Sequence, residues 1–175
     1  VFKPPPTQEH VFRESANLEM VNEAGQRIYG YLLRKSKEAG VLRSQERIGC
    51  LGNLPDWKPF RKVVANELRP RITEVETERT GPSNADVRIK RRLVDQAWGD
   101  IRKALICDSC IARATTSIQA LFPEVQQLCN SVERVVYLVP IAAKQGLDRI
   151  EEYAKSVSYE ITVVTGAIDP AVDPR

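Results

Sequence analysis

Residues 69–106 read RPRITEVETERTGPSNADVRIKRRLVDQAWGDIRKALI, and whether the two halves of this stretch are helices or strands decides the fold. In the first half Ile72 and Val75 suit one face of a helix, whereas Glu74, Glu76 and Glu78 suit one side of a strand. Helix is the favoured assignment for residues 71–79, after a break where Pro70 removes a backbone donor and restricts Arg69. Thr80, Gly81 and Pro82 supply a turn. Residues 83–86, SNAD, then have the form of a capping box and lead into Val87, Val94, Ala97, Trp98, Ile101 and Leu105 at helical spacing. The stretch is expected to form a pair of antiparallel helices.

Upstream, Leu18, Val21, Ala24, Ile28 and Leu32 recur on one helical face. Ser15 or Asn17 can cap this helix, Arg34, Lys35 and Lys37 suit its negative end, and Gly40 can stop it. Residues 1–7, VFKPPPT, favour polyproline II and read as an arm open to a partner. Residues 41–59 carry Gly49, Gly52, Pro55 and Pro59 without a sustained period and read as a connector, with Trp57 as a buried anchor. Phe60, Val63, Val64 and Leu68 give a short helical face.

Downstream, Ile111, Ala114, Ile118 and Leu121 predict a helix from Cys110 towards Pro123. The character changes after Ser131. Residues 135–139 are a compact β-branched run, Leu147, Ile150, Ala154 and Val157 make a helical stripe, and residues 159–164 alternate like a strand. Together they predict a strand–helix–strand unit. The expected fold is an α-rich α+β protein: N-terminal and central antiparallel helices with a Pro-rich arm over residues 1–131, then a strand–helix–strand subdomain with a Pro-rich tail over residues 132–175.

A chain of 175 residues that is 42% hydrophobic can bury a real core. Its longest apolar stretch, residues 135–143, is interrupted by Pro140 and falls short of the roughly 20 residues that span a bilayer, so no membrane span is expected. The chain opens on Val1 rather than Met, which fits removal of a Met or of a targeting peptide and leaves the compartment open. The formal charge of +3 is too small to announce a nucleic-acid binder by itself. His10 is the single histidine, so Ser/His/Asp, Cys/His and HExxH sites lose their central residue. The turns at Gly49 and Gly81 lack the phosphate-cradling glycine patterns, and no nucleotide site, cofactor or catalytic residue is indicated.

Cys50, Cys107, Cys110 and Cys129 are too few for a disulfide scaffold, which makes a reducing compartment the default. Cys107 and Cys110 form a lone CxxC, a weak metal candidate short of the about four ligands zinc takes. Asp108 beside them works against a thiolate, so a structural role is preferred. Glu74, Glu76 and Glu78 read as a solvated face or one that meets a partner's basic groups. Arg69, Arg71, Arg88, Lys90, Arg91 and Arg92 could gather beside the turn at Gly81 and neutralise phosphates, or form a solvated face balanced by Asp86, Asp95 and Asp100.

RPRITEVE at residues 69–76, then Pro82, Ala85 and Asp86, then RLVDQA and IRKAL, resemble in order and spacing the RNA-binding helix pair of the coat proteins of tobamovirus-type rod-shaped plant viruses. VFRESA at residues 11–16 and WKP at residues 57–59 are similar to stretches of the same family. The resemblance implies that Arg69 and Arg71 face RNA, with Arg92 and Asp95 on the helix lining the RNA groove. Arg88 and Arg91 would extend the RNA-facing cluster. It further implies that Glu74 and Glu76 are carboxylates that repel between stacked subunits.

The chain is therefore expected to be a non-catalytic structural subunit of a larger assembly, most specifically a helical coat-like protein packaging single-stranded RNA. Its partners would be other protein subunits and RNA, in a virion or host cytoplasm. The alternative is an accessory subunit of a mitochondrial respiratory or ribosomal complex, suggested by the Pro-rich arm and the absence of catalytic residues.

Overall fold

The computed structural model describes residues 8–44, 46–54, 57–82 and 85–170, with the backbone path alone at 8–22 and 59. The Pro-rich arm at residues 1–7, the expected capping Ser83 and the tail residues 171–175 lie outside the described residues.

Helices and strands alternate along most of the chain. They are α1 (Gln8–Glu38), β1 (Ile48–Leu54), α2 (Lys58–Leu68), β2 (Arg71–Thr80), β3 (Asp86–Val94), β4 (Lys103–Cys107) and β5 (Cys110–Ile111). A π-helical turn at Ser117–Leu121 then runs into α3 (Phe122–Leu128), followed by β6 (Arg134–Ala143), α4 (Lys144–Ala154) and β7 (Glu160–Asp169). The strands form one seven-stranded sheet, and every pairing except the β2–β3 hairpin is parallel. Because β7 pairs β6 along its length, β4 and β5 lie end to end on the other side of β6. From edge to edge the order is β3, β2, β1, β4 with β5, β6, β7.

The helices cover both faces. On one face α1 and α2 contribute Tyr29, Leu32, Leu33, Phe60, Val64 and Leu68, packed against Cys50, Ile72, Leu105, Cys107, Val136 and Leu138. On the other, the π turn, α3 and α4 contribute Leu121, Phe122, Val125 and Ile150 against Leu51, Val75, Ala104, Ile106, Val135 and Tyr137. Successive residues of a strand point to opposite faces, so a strand buried on both sides reads as a continuous apolar run.

This burial explains why the expected α-rich α+β fold is wrong. Ile72 and Val75, spaced like one face of a helix, sit on a strand and enter opposite cores. Thr73, Val75 and Thr77 are β-branched and suit the strand, and Thr73 is fully buried. The helix expected from Val87 to Leu105 is instead β3, a connector and β4. Trp98 and Ile101, 1% exposed each, anchor that connector. The antiparallel helix pair is thus a β-hairpin followed by a buried parallel strand. The helix expected from Cys110 begins only at residue 115, after β5.

Other expectations are met. α2 ends at Leu68, with Arg69 in left-handed conformation (φ 49°) before Pro70. Trp57 is fully buried. The strand–helix–strand unit is present as β6–α4–β7, its strands parallel. The predicted first helix is present as α1, but its buried residues among 23–38 are Tyr29, Leu32, Leu33 and Ser36, while Ile28 is 43% exposed. Among the described residues no helix is long and apolar enough to cross a membrane.

Candidate functional site

The chain builds outward from β1 in both directions, with β2 on one side and β4 on the other. In open parallel sheets the crevice beyond the carboxyl ends of the strands at such a reversal is where ligands bind. Here those ends are residues 52–54 of β1 and Cys107–Asp108 after β4.

The β1 end is held by close packing. A Cβ on Gly52 would lie 2.3 Å from the Trp57 ring, so only glycine admits this tryptophan. Trp57 in turn donates from Nε1 to Glu74 Oε1 at 2.6 Å. The Thr77 hydroxyl donates to Asn53 Oδ1 at 3.2 Å.

The β4 end is more polar. Asp108 is 6% exposed, and its carboxylate accepts from the Tyr137 hydroxyl at 3.0 Å and from the Ser109 N–H at 2.9 Å. A phenol has one hydrogen, so Ser117 Oγ, 2.9 Å from the Tyr137 oxygen, donates to it. Tyr29 of α1 donates to the Asp108 carbonyl. Burial, and next the Asp108 charge, push the Tyr137 phenol well above its ordinary range. Burial also raises the Tyr29 phenol, with Cys107 the next contributor. The network therefore stays protonated on its tyrosines at neutral pH, and Asp108 is its fixed acceptor.

Beyond β5 the chain turns through Ala114, whose φ of 55° is in the left-handed region. It enters a helical run over residues 115–128 that opens with Thr115, Thr116 and Ser117. The first N–H groups of a helix have no partner inside it and carry the positive end of its dipole. Two features fix this turn against α4. A Cβ on Gly146 would meet the Ala112 carbonyl at 2.5 Å, and Arg149 donates to the Arg113 carbonyl at 2.6 Å. The result is a strand–turn–helix cradle that brings two threonine hydroxyls, Thr115 accepting from Arg149 at 3.4 Å, to the N-terminal end of a helix, a setting suited to an anionic ligand.

The residues expected to form an RNA surface are distributed differently. Arg69 and Arg71 lie where β2 begins, at the far end of the sheet. Arg88, Arg91 and Arg92 lie on the edge strand β3. Arg88 pairs with Glu78 at 2.7 Å, and Arg92 reaches both carboxylate oxygens of Glu124, Nη2 to Oε2 at 2.6 Å. Asp95 pairs with Arg61 at 2.7 Å and Glu76 with Lys90 at 3.0 Å, while Glu74 is 3.4 Å from Arg61.

Cys107 is buried in the core and its thiol is pushed well up by burial, whereas Cys110 is exposed. All four cysteines are free, and among the described residues no group of three or more metal-ligating side chains comes together. Sequence reasoning passed over Tyr137 and Thr115–Ser117 and weighed Asp108 only as a neighbour that works against a thiolate. Their available signal was an apolar run, KALIC, ending on an aspartate and followed by three consecutive hydroxyls.

No protein-family model matches the chain, and no curated protein sequence matches it. Solved structures do share its fold. The AQ2163 protein of Aquifex aeolicus superposes with a TM-score of 0.59 at 22% identity over 74% of this chain, which spans 58% of that protein's length. A hypoxanthine phosphoribosyltransferase of Staphylococcus aureus does so with a TM-score of 0.57 at 14% identity, over 85% of this chain and 74% of that one. A Trypanosoma cruzi hypoxanthine phosphoribosyltransferase in complex with its product IMP gives 0.52 at 13%, over 84% and 73%.

The fold is thus that of phosphoribosyltransferases. This overturns the resemblance to virus coat proteins, whose supposed RNA-binding helix pair is a hairpin and a buried strand here. Two of these neighbours are named as transferases, and the shared fold corrects the expectation of a non-catalytic assembly subunit, whether a coat protein or part of a mitochondrial complex.

Proposed function

We propose that the protein is a phosphoribosyltransferase that holds the 5-phosphate of a ribose at the turn before residues 115–128. The observation that carries this reading is the turn itself. A parallel strand at the switch point ends on a buried aspartate, crosses a left-handed alanine, and opens a helix with adjacent threonines. The Thr115 and Thr116 hydroxyls and the first helical N–H groups donate to phosphate oxygens, while Asp108 orients the turn. The Trypanosoma cruzi neighbour of the same fold binds IMP, a ribose 5-phosphate joined to a base.

In the reaction the base nitrogen bonds to the anomeric carbon as the bond from that carbon to pyrophosphate breaks. Pyrophosphate leaves with the electron pair, and the base loses its proton. The cradle contributes by fixing the phosphate end of the sugar, which turns a loose encounter into an oriented one.

The test is nucleotide formation from 5-phosphoribosyl pyrophosphate and a panel of bases, hypoxanthine and guanine first and then the pyrimidines, followed by chromatography. The expected result is turnover with at least one base and a fall of roughly a hundredfold in Thr116→Val, the scale of losing one positioned donor. No nucleotide from any base, together with no binding of ribose 5-phosphate, sinks the reading.

A further inference from the structure

The opposite end of the sheet, where β1, β2 and β4 begin, holds a cleft of about 580 Å³ that the transfer reaction does not use. Ile48, Leu68 and Ile101 close its base, but at 2%, 4% and 1% exposed they offer a ligand little surface. Its rim carries Arg47, Arg69 and Arg71. Glu46 is the one carboxylate lining the cleft, and it is taken up by Lys103 at 2.7 Å.

Arg71 is held in place, and all three guanidinium groups keep most of their charge. Arg71 donates to the Ala97 and Trp98 carbonyls, each at 2.7 Å, which fixes its position and leaves its charge. Arg69 is exposed, and its backbone is fixed as the left-handed cap of α2, its N–H on the Ala65 carbonyl. It has no carboxylate partner among the described residues. Arg47 meets Asp100 at 3.1 Å, but both side chains are about three-quarters exposed, 73% and 77%, so the pair is screened and exchanges readily.

Arginine forks match phosphate oxygens in geometry as well as charge. The volume lies in the range of small-molecule sites. We propose that this cleft is a second binding site, for a phosphate monoester, with a nucleoside monophosphate the fitting size. It lies about 20 Å from the strand ends where the candidate active site sits, given seven residues of β1 at about 3.3 Å each. A ligand here takes no part in the transfer.

The experiment is a titration of the isotopically labelled full chain with AMP, adenosine and inorganic phosphate, followed by amide NMR shifts. AMP is expected to move Ile48, Arg69, Arg71 and Ile101, inorganic phosphate to move the arginine amides more weakly, and adenosine to move none of them. Arg69→Ala and Arg47→Ala, both at exposed positions, are each expected to weaken AMP binding about tenfold at unchanged circular dichroism. Shifts confined to residues 108–117 would place AMP at the candidate active site alone and overturn the proposal. So would adenosine binding as tightly as AMP, or both variants binding AMP like the parent. Loss of transferase activity in Thr116→Val leaves these outcomes untouched, so this inference and the transferase reading fail separately.

Discussion

The hydroxyl hydrogen of Tyr137 goes to a carboxylate that is itself buried, and removing it leaves that carboxylate short of a donor. Tyr137→Phe is therefore expected to lower stability by about 1–3 kcal/mol, the range for an unsatisfied buried acceptor, read from urea denaturation. The same tyrosines set an alkaline limit. Tyr29, Tyr137 and Tyr159 all have raised phenol pKa values in the folded protein, mainly through burial. An unfolded tyrosine ionises near about pH 10, so above that the unfolded chain releases protons that the folded one keeps. Their contribution to stability is complete below pH 10 and declines as the pH rises past it. The urea midpoint should hold steady from neutral pH and then fall, less steeply in Tyr29→Phe. At Ala114 the left-handed backbone costs a non-glycine residue about 1 kcal/mol. Ala114→Gly should accordingly raise the melting temperature, and a drop would show that the methyl group's packing outweighs the strain.

At the level of elements, the sequence was legible where one pattern had one explanation. The β6–α4–β7 unit could be read because a β-branched run, a helical stripe and a second β-branched run follow in order. β4 could not, because a strand covered on both faces loses the two-residue alternation that marks a strand, and in β2 the alternating Glu74, Glu76 and Glu78 left both assignments open. Ile72 and Val75 then mimic a helix by chance. The cradle was hidden for a related reason: Ile111, Ala114 and Ile118 keep helical spacing although β5 and a left-handed turn separate the first two. The hairpin itself is tied to α3 by one ion pair whose acid, Glu124, is 1% exposed in its side chain while Arg92 is 40% exposed. Arg92→Met strands that buried carboxylate, and a loss of about 1–3 kcal/mol with a looser hairpin is expected. Faster amide exchange across β3 would report it. Gly146→Ala pushes a methyl group against the Ala112 carbonyl, so it should cost about 1–3 kcal/mol as an overpacked contact. Under the proposed transferase reading, turnover should fall with it, because the displaced backbone leads into the turn before residues 115–128.

Over the whole molecule, one sheet is shared by two cores, and each contains one tryptophan. Trp57 belongs to the core under α1 and α2, Trp98 to the core under α3 and α4. If the sheet couples them, single-tryptophan variants carrying Trp57→Phe or Trp98→Phe each show one fluorescence transition, and in each it coincides with loss of far-ultraviolet circular dichroism. Two separated transitions would mean that the faces unfold independently. Charge is organised at this scale too. The net +3 says little, yet Arg47 from before β1 and Arg69 and Arg71 from the α2–β2 junction converge at one end of the sheet. No spacing in the sequence could have placed Arg47 beside the other two.

The bond from Tyr29 to the Asp108 carbonyl joins residues 79 apart in sequence, and the Leu138 carbonyl, 109 residues from Tyr29, lies 3.4 Å from the same hydroxyl. Closing such distant contacts is slow, because the entropy of the long loops must be lost before the contacts form. During synthesis α1 leaves the ribosome long before β6 can receive it. The turn after β4 therefore acquires its final shape late, only once β6 has been made.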